Sequence, residues 1–204
     1  LHGKNFCAAT WERQIVDLTR AGYRVVAPDQ IGFCKSSKPT AYQFSFQQLA
    51  HNTHALLRSL GVEHAIIVGH STGGMLAARY ALMFPGETAG LALVNPIGLE
   101  DWKALGVPSP TVDQWRTREA ALTADKIRAY EKSTYYAGHW SPAYERWVDM
   151  LAGLAHKWNW RQAREKAGKD GTRPNMVTDG NVQVEWKRFL RYRDVKTRIV
   201  PLKP

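Results

Sequence analysis

The stretch Ala65-Ile66-Ile67-Val68-Gly69-His70-Ser71-Thr72-Gly73-Gly74 decides how the rest of this chain is read. Its first four residues are apolar without alternation, the pattern of a strand covered on both faces in a parallel sheet. Thr72 to Phe84 follows as a helix rich in small residues, and Pro85-Gly86 stops it. Between strand and helix lies the pattern Gly-x-Ser-x-Gly. A serine presented on so sharp a turn needs close neighbours without Cβ bulk, and Gly69, Gly73 and Gly74 supply them. Strand, tight turn and helix in this order are the setting of a nucleophile elbow centred on Ser71.

The same alternation runs outward in both directions. Leu91 to Val94 is a second buried strand, ended by Asn95-Pro96. Upstream, Trp11 to Ala21 predicts a helix with Ile15 and Leu18 inward and Gly22 as its stop. Tyr23 to Pro28 reads as a strand before Asp29. Ser45 and Gln48 are placed as a capping box. Behind them Phe46, Leu49, Thr53, Leu56, Leu57 and Leu60 recur at helical spacing until Gly61. Residues 1–98 are therefore expected to form an α/β doubly wound sheet flanked by helices. Residues 99–156 hold helical stretches, Thr123 to Tyr136 and Pro142 to His156, with almost no strand signal, and are read as a helical cap. In residues 157–204 the periodicity fades, and only Lys196 to Leu202 suits one more short strand.

Composition narrows the classes. A chain of 204 residues suits one domain with an insertion. No run of apolar residues reaches membrane-spanning length. Two cysteines cannot build a disulfide-rich scaffold. No basic segment followed by an apolar run opens the chain, so a soluble protein is expected, the cytoplasm being slightly favoured. The net charge of +10 is uneven. Residues 1–156 carry 15 Lys and Arg against 13 Asp and Glu, whereas residues 157–204 carry 13 against 5. Trp158, Trp160 and Trp186 among those basic residues would suit nucleic acid, but a solvated, poorly ordered extension is the expectation there.

Acyl transfer at Ser71 needs donors for an oxyanion. The amide of Thr72, next after the serine at a helix N-terminus, suits that role. A second donor is expected from an earlier strand-end loop, and the Lys4 amide in Leu1-His2-Gly3-Lys4 is the choice.

These residues together resemble the α/β-hydrolase superfamily, in the serine branch with a helical cap. The resemblance rests on His2-Gly3 before a helix containing Trp11, and on Asp29-Gln30-Ile31-Gly32-Phe33-Cys34-Lys35-Ser36 after a strand. Gly69-His70-Ser71-Thr72-Gly73-Gly74 and Pro85 complete it. It implies a partial parallel sheet, Ser71 as nucleophile, the Thr72 and Lys4 amides as oxyanion hole, and no metal or cofactor. Cys34 stands where the family's loop has Gly. The strand that the family places before His2-Gly3, and its final strands, are missing, as in a core cut at both ends. The family order is nucleophile, acid, His. After Ser71 only His139 and His156 remain as bases, both in the cap-like stretch, and the acids to weigh are Glu100, Asp101, Asp179 and Asp194.

His51 and His54 are spaced for one helix face but lack further ligands, so no metal is expected. No dinucleotide fingerprint or phosphate loop is present. A Ser nucleophile argues against the epoxide-hydrolase and dehalogenase branches, which use a carboxylate. The reading is a serine hydrolase, most simply a carboxylesterase acting on a small-molecule ester through an acyl-enzyme. The alternatives are a catalytically impaired binding fold, a carbon–carbon bond hydrolase or a cofactor-free haloperoxidase-like enzyme.

Overall fold

The computed structural model describes residues 1–39, 41–98, 100–153 and 197–199. Its elements in chain order are α1 (Glu12–Arg20), α2 (Phe46–Ser59), β1 (Ala65–His70), α3 (Thr72–Met83), β2 (Thr88–Val94), α4 (Val112–Ala120), α5 (Ala124–Thr134) and β3 (Thr197–Ile199). The chain divides into two compact units, residues 1–107 with 174–204, and residues 108–173. No helix among the described residues is long and apolar enough to cross a membrane.

β1, α3 and β2 make one parallel βαβ unit. Ile67 lies opposite Leu91 and Gly69 opposite Leu93, and β3 continues the sheet in parallel beyond β2. Strand side chains alternate between faces, so Ile67, Leu91 and Leu93 share one face. They join Leu76, Ala77, Tyr80, Ala81, Ala50 and Leu57 in the core, with α3 on the sheet and α2 behind it. Small residues in α3 let the helix lie close to the strands. The opposite face is not covered as expected, because Ile66 is 58% exposed. Its partner in register is Gly90, which offers no side chain to shield it.

Three further expectations are corrected. Tyr23 to Pro28 forms no strand, since a strand needs a laddered neighbour and none lies beside it among the described residues. Helix α1 forms, but Leu18 points outward and Ile15 alone is half-buried. Ser45 does cap α2, its Oγ accepting from the Gln48 amide at 3.1 Å. Gln48 does not reach back, because its side chain donates to Asn52 Oδ1 one turn on. At the far end of the unit, the Glu87 carboxylate accepts from His54 and from the Tyr80 hydroxyl, 2.8 and 3.0 Å away. It ties α2, α3 and the start of β2 together.

The described residues of the second unit are mainly helical. Thr111 and Gln114 make the full reciprocal capping box that Ser45 lacks. Arg128 on α5 binds Glu145 through Nε and Nη2 and Asp125 through Nη1. Trp140 donates to Glu145, and Tyr136 stacks on Tyr144 at 4.1 Å. Ile127, Val148 and Leu151 are buried, and so is Glu131, whose carboxyl burial pushes up to about 7. The expected tail of residues 157–204 lies outside the described residues except for β3, and its tryptophans lie outside them entirely.

Candidate active site

Ser71 sits on the turn between β1 and α3 with φ 53° and ψ −122°. A non-glycine residue there is strained by about 1–3 kcal/mol, and such strain persists only where the surroundings enforce it. Three sets of contacts do so. The Ser71 amide donates to Val94 O at the end of β2, and its carbonyl accepts from the Gly74 amide. A Cβ on Gly69 would stand 2.2 Å from Gly73 O. A Cβ on Gly73 would stand 2.3 Å from Leu1 O, and one on Gly74 would stand 2.7 Å from Pro96 Cβ. The glycines thus let the strand end, the first turn of α3 and the chain at residues 1–2 converge on Ser71.

The loop that follows is laid against the same turn. The Leu1 nitrogen donates to Val68 O, and the His70 amide donates to Leu1 O, so Leu1 runs beside β1. Gly3 then passes so near that an added Cβ would lie 3.0 Å from Ser71 Cβ. The Lys4 amide follows in a turn closed by the Phe6 amide donating to Gly3 O. Thr72 opens α3, where the helix leaves its first amides without intrahelical acceptors. Thr72 thus follows Ser71 directly, and Gly3, one residue before Lys4, passes beside the Ser71 Cβ.

His2 is buried, at 4% exposure. Its Nδ1 bonds Gly3 O and its Nε2 accepts from the Gln30 amide, both at 2.9 Å. This fixes a neutral imidazole protonated at Nδ1, and burial holds its pKa below the usual value. Asp29 has a similar task. Its carboxylate accepts from the Ala8 and Lys35 amides, and its carbonyl accepts from Ser36 Oγ. His70 lies under the edges of Phe6 and Trp11, and burial lowers its pKa.

The other residues singled out in sequence make the following contacts where they are described. Glu100 accepts from Trp102 Nε1, and Asp101 accepts from the Ala104 amide, so both shape a local exposed turn. His139 is exposed and belongs to the second unit. His156, Asp179 and Asp194 lie outside the described residues. His51 and His54 pack on Phe84. Sequence reasoning missed one pair altogether: Cys7 and Cys34 are joined as a disulfide, with Cα atoms 6.1 Å apart. The signal was Cys34 in place of the family's glycine.

A family model described as the alpha/beta hydrolase fold matches residues 1–165. The chain belongs to the α/β-hydrolase fold family. Among solved structures, this α/β-hydrolase is similar to a probable hydrolytic enzyme from Pseudomonas aeruginosa PAO1. The two are 44% identical with a TM-score of 0.75, over 99% of this chain and 76% of that one. Among curated proteins it is similar to a non-heme chloroperoxidase of Streptomyces lividans, 34% identical over 63% of this chain and 47% of the relative. It is also similar to epoxide hydrolase B of Mycobacterium tuberculosis, 38% identical over 47% of this chain and 27% of the relative. The α/β-hydrolase described here thus spans less than half the length of these curated relatives.

Proposed function

We propose that this chain carries the nucleophile and oxyanion machinery of a serine hydrolase acting on small-molecule esters. The observation that carries the reading is the strained backbone of Ser71 at the strand–helix turn. Ser71 Oγ attacks the ester carbonyl, and the amides of Thr72 and Lys4 hold the developing oxyanion in the acyl-enzyme step. The alcohol leaves, and water then releases the acid. Within the first unit no described imidazole bonds Ser71: His2 is committed to Gly3 and Gln30, His54 to Glu87, and His70 packs under Phe6 and Trp11. A chain whose triad is incomplete keeps about 10³–10⁴-fold catalysis over water from binding and the oxyanion hole.

The test is covalent labelling of the full chain with a fluorophosphonate, followed by peptide mass analysis and p-nitrophenyl ester hydrolysis. The expected result is a single adduct on Ser71 and activity that Ser71→Ala abolishes. Equal hydrolysis by parent and Ser71→Ala would overturn the assignment. A second reading, haloperoxidase-like activity at the same serine, is favoured by the similarity to the chloroperoxidase. Peroxide-dependent halogenation of a diketone that outpaces ester hydrolysis would select it.

A further inference from the structure

We propose that Cys7 and Cys34 form a redox-sensitive clip on the oxyanion loop, and that an external dithiol opens it and slows acylation of Ser71. The activity part of this inference rests on the function proposed above. The clip itself rests on geometry. Cys7 ends the loop that carries Lys4, and Cys34 sits in the loop after Asp29, with 6.1 Å between their Cα atoms, inside the usual disulfide span. The same two loops are already tied by Asp29, which takes the Ala8 amide on one carboxylate oxygen and the Lys35 amide on the other. His2 fastens the other end of the oxyanion loop through Gln30. The Lys4 amide therefore lies on a short span held at both ends.

The backbone says why a cysteine at position 34 is a choice and not a neutral replacement. Cys34 has φ 36°, in the left-handed region that favours glycine, and Asn5 within the partner loop has φ 65°. A residue with Cβ is disfavoured there by about 1–2 kcal/mol. These are also the chain's only two cysteines, so the pair has no competing partner within the chain.

Reactivity is asymmetric. Cys7 is 2% exposed and Cys34 is half-buried, so an incoming thiolate reaches the Cys34 sulfur first. It forms a mixed disulfide there and expels Cys7 as a thiolate, which takes up a proton. The reagent's second thiol then attacks its own sulfur in the mixed disulfide. Cys34 leaves as a thiol, and the reagent departs as a cyclic disulfide. Two electrons and two protons pass from the dithiol to the protein. The hydrogen bonds of His2 and Asp29 survive, so the loop loosens without being lost. The expected slowing is about tenfold, well short of the ~10²–10³ that follows outright loss of an oxyanion donor.

The experiment uses the full chain in three forms: air-oxidised, treated with dithiothreitol, and Cys34→Gly. Alkylation under denaturing conditions counts free thiols by mass, hydrogen exchange reads peptides covering residues 3–8, and fluorophosphonate labelling gives the acylation rate at Ser71. Expected are no free thiols in the oxidised chain and two after reduction, faster exchange in residues 3–8 on reduction, and about tenfold slower labelling. Cys34→Gly should be indifferent to the dithiol in both readouts. Two free thiols after oxidation, a zinc ion held between them, or identical exchange and labelling in both states would overturn the clip. Failure of the Ser71 reading looks different: no labelling in either state, with the exchange difference still deciding whether the clip exists.

Discussion

Replacing Gly69 with alanine tests the packing that brings Ser71 to its turn. The new methyl group would stand 2.2 Å from Gly73 O and 2.7 Å from Ala77 Cβ. Neither is the free end of a flexible side chain. One is helix backbone and the other is a core methyl with no rotamer to change, so α3 has to move off β1. Over-packing of a filled core costs about 1–3 kcal/mol, occasionally more, and a clash with backbone belongs at the upper end, about 3 kcal/mol. For a chain of this size each kcal/mol lowers the melting temperature by about 2–4 °C, so a drop of about 6–12 °C is expected. Gly90→Ala is the control. Its Cβ would meet Ile66 only at 3.6 and 3.7 Å, an ordinary contact, and the smaller entropy of the unfolded chain favours it by about 0.4–1 kcal/mol. Thermal unfolding of both variants by circular dichroism is the assay. If Gly69→Ala melts within 2 °C of the parent (about 1 kcal/mol or less), the close approach of α3 to β1 does not hold and the argument fails with it.

Other expectations follow from individual contacts. His2→Ala removes the acceptor of the Gln30 amide and should destabilise the chain by about 1–3 kcal/mol in urea unfolding, while slowing Ser71 labelling. The Glu131 carboxyl, raised by burial to about 7, is protonated in the fold over a range where the unfolded chain ionises it. Stability should therefore fall as pH rises from the ordinary carboxylate range to about 7, at up to ~1.4 kcal/mol per pH unit. Glu131→Gln should flatten that slope in unfolding curves taken between pH 4 and 8. Tyr80→Phe removes the hydroxyl that donates to Glu87 and should lower stability by about 1.5–3 kcal/mol, the range for hydrogen bonds to a charged group. An unchanged urea midpoint would show that this bond contributes nothing.

What the sequence made legible was local. The glycines about Ser71 announced the turn because only residues without Cβ permit such an approach, and the apolar runs of β1 and β2 announced parallel pairing. The cap at Ser45 was visible because its hydrogen bond spans three residues. What could not be read were the features set by partners distant in sequence. A strand at Tyr23 to Pro28 depends on a neighbour to ladder with, which propensity cannot supply. Burial of Ile66 depends on what covers the second face of the sheet. The roles of His2 and Asp29 depend on bonds across 28 and 21 residues. The pairing of Cys7 with Cys34 spans 27 residues, and only the odd cysteine in a glycine position hinted at it.

The convergence of Gly69, Gly73 and Leu1 has a consequence for anyone remodelling this protein. A Cβ at Gly69 or Gly73 would meet backbone oxygen at 2.2 or 2.3 Å, so a library of side chains at those two positions has nothing to vary except damage. Diversity belongs instead on the rings set edge-to-face with His70, at Phe6 and Trp11, whose centroids stand 5.3 and 6.4 Å from the imidazole. Changes there alter the packing around His70 and leave the glycines of the Ser71 turn untouched. The scaffold thereby separates what must stay fixed from what is free to evolve.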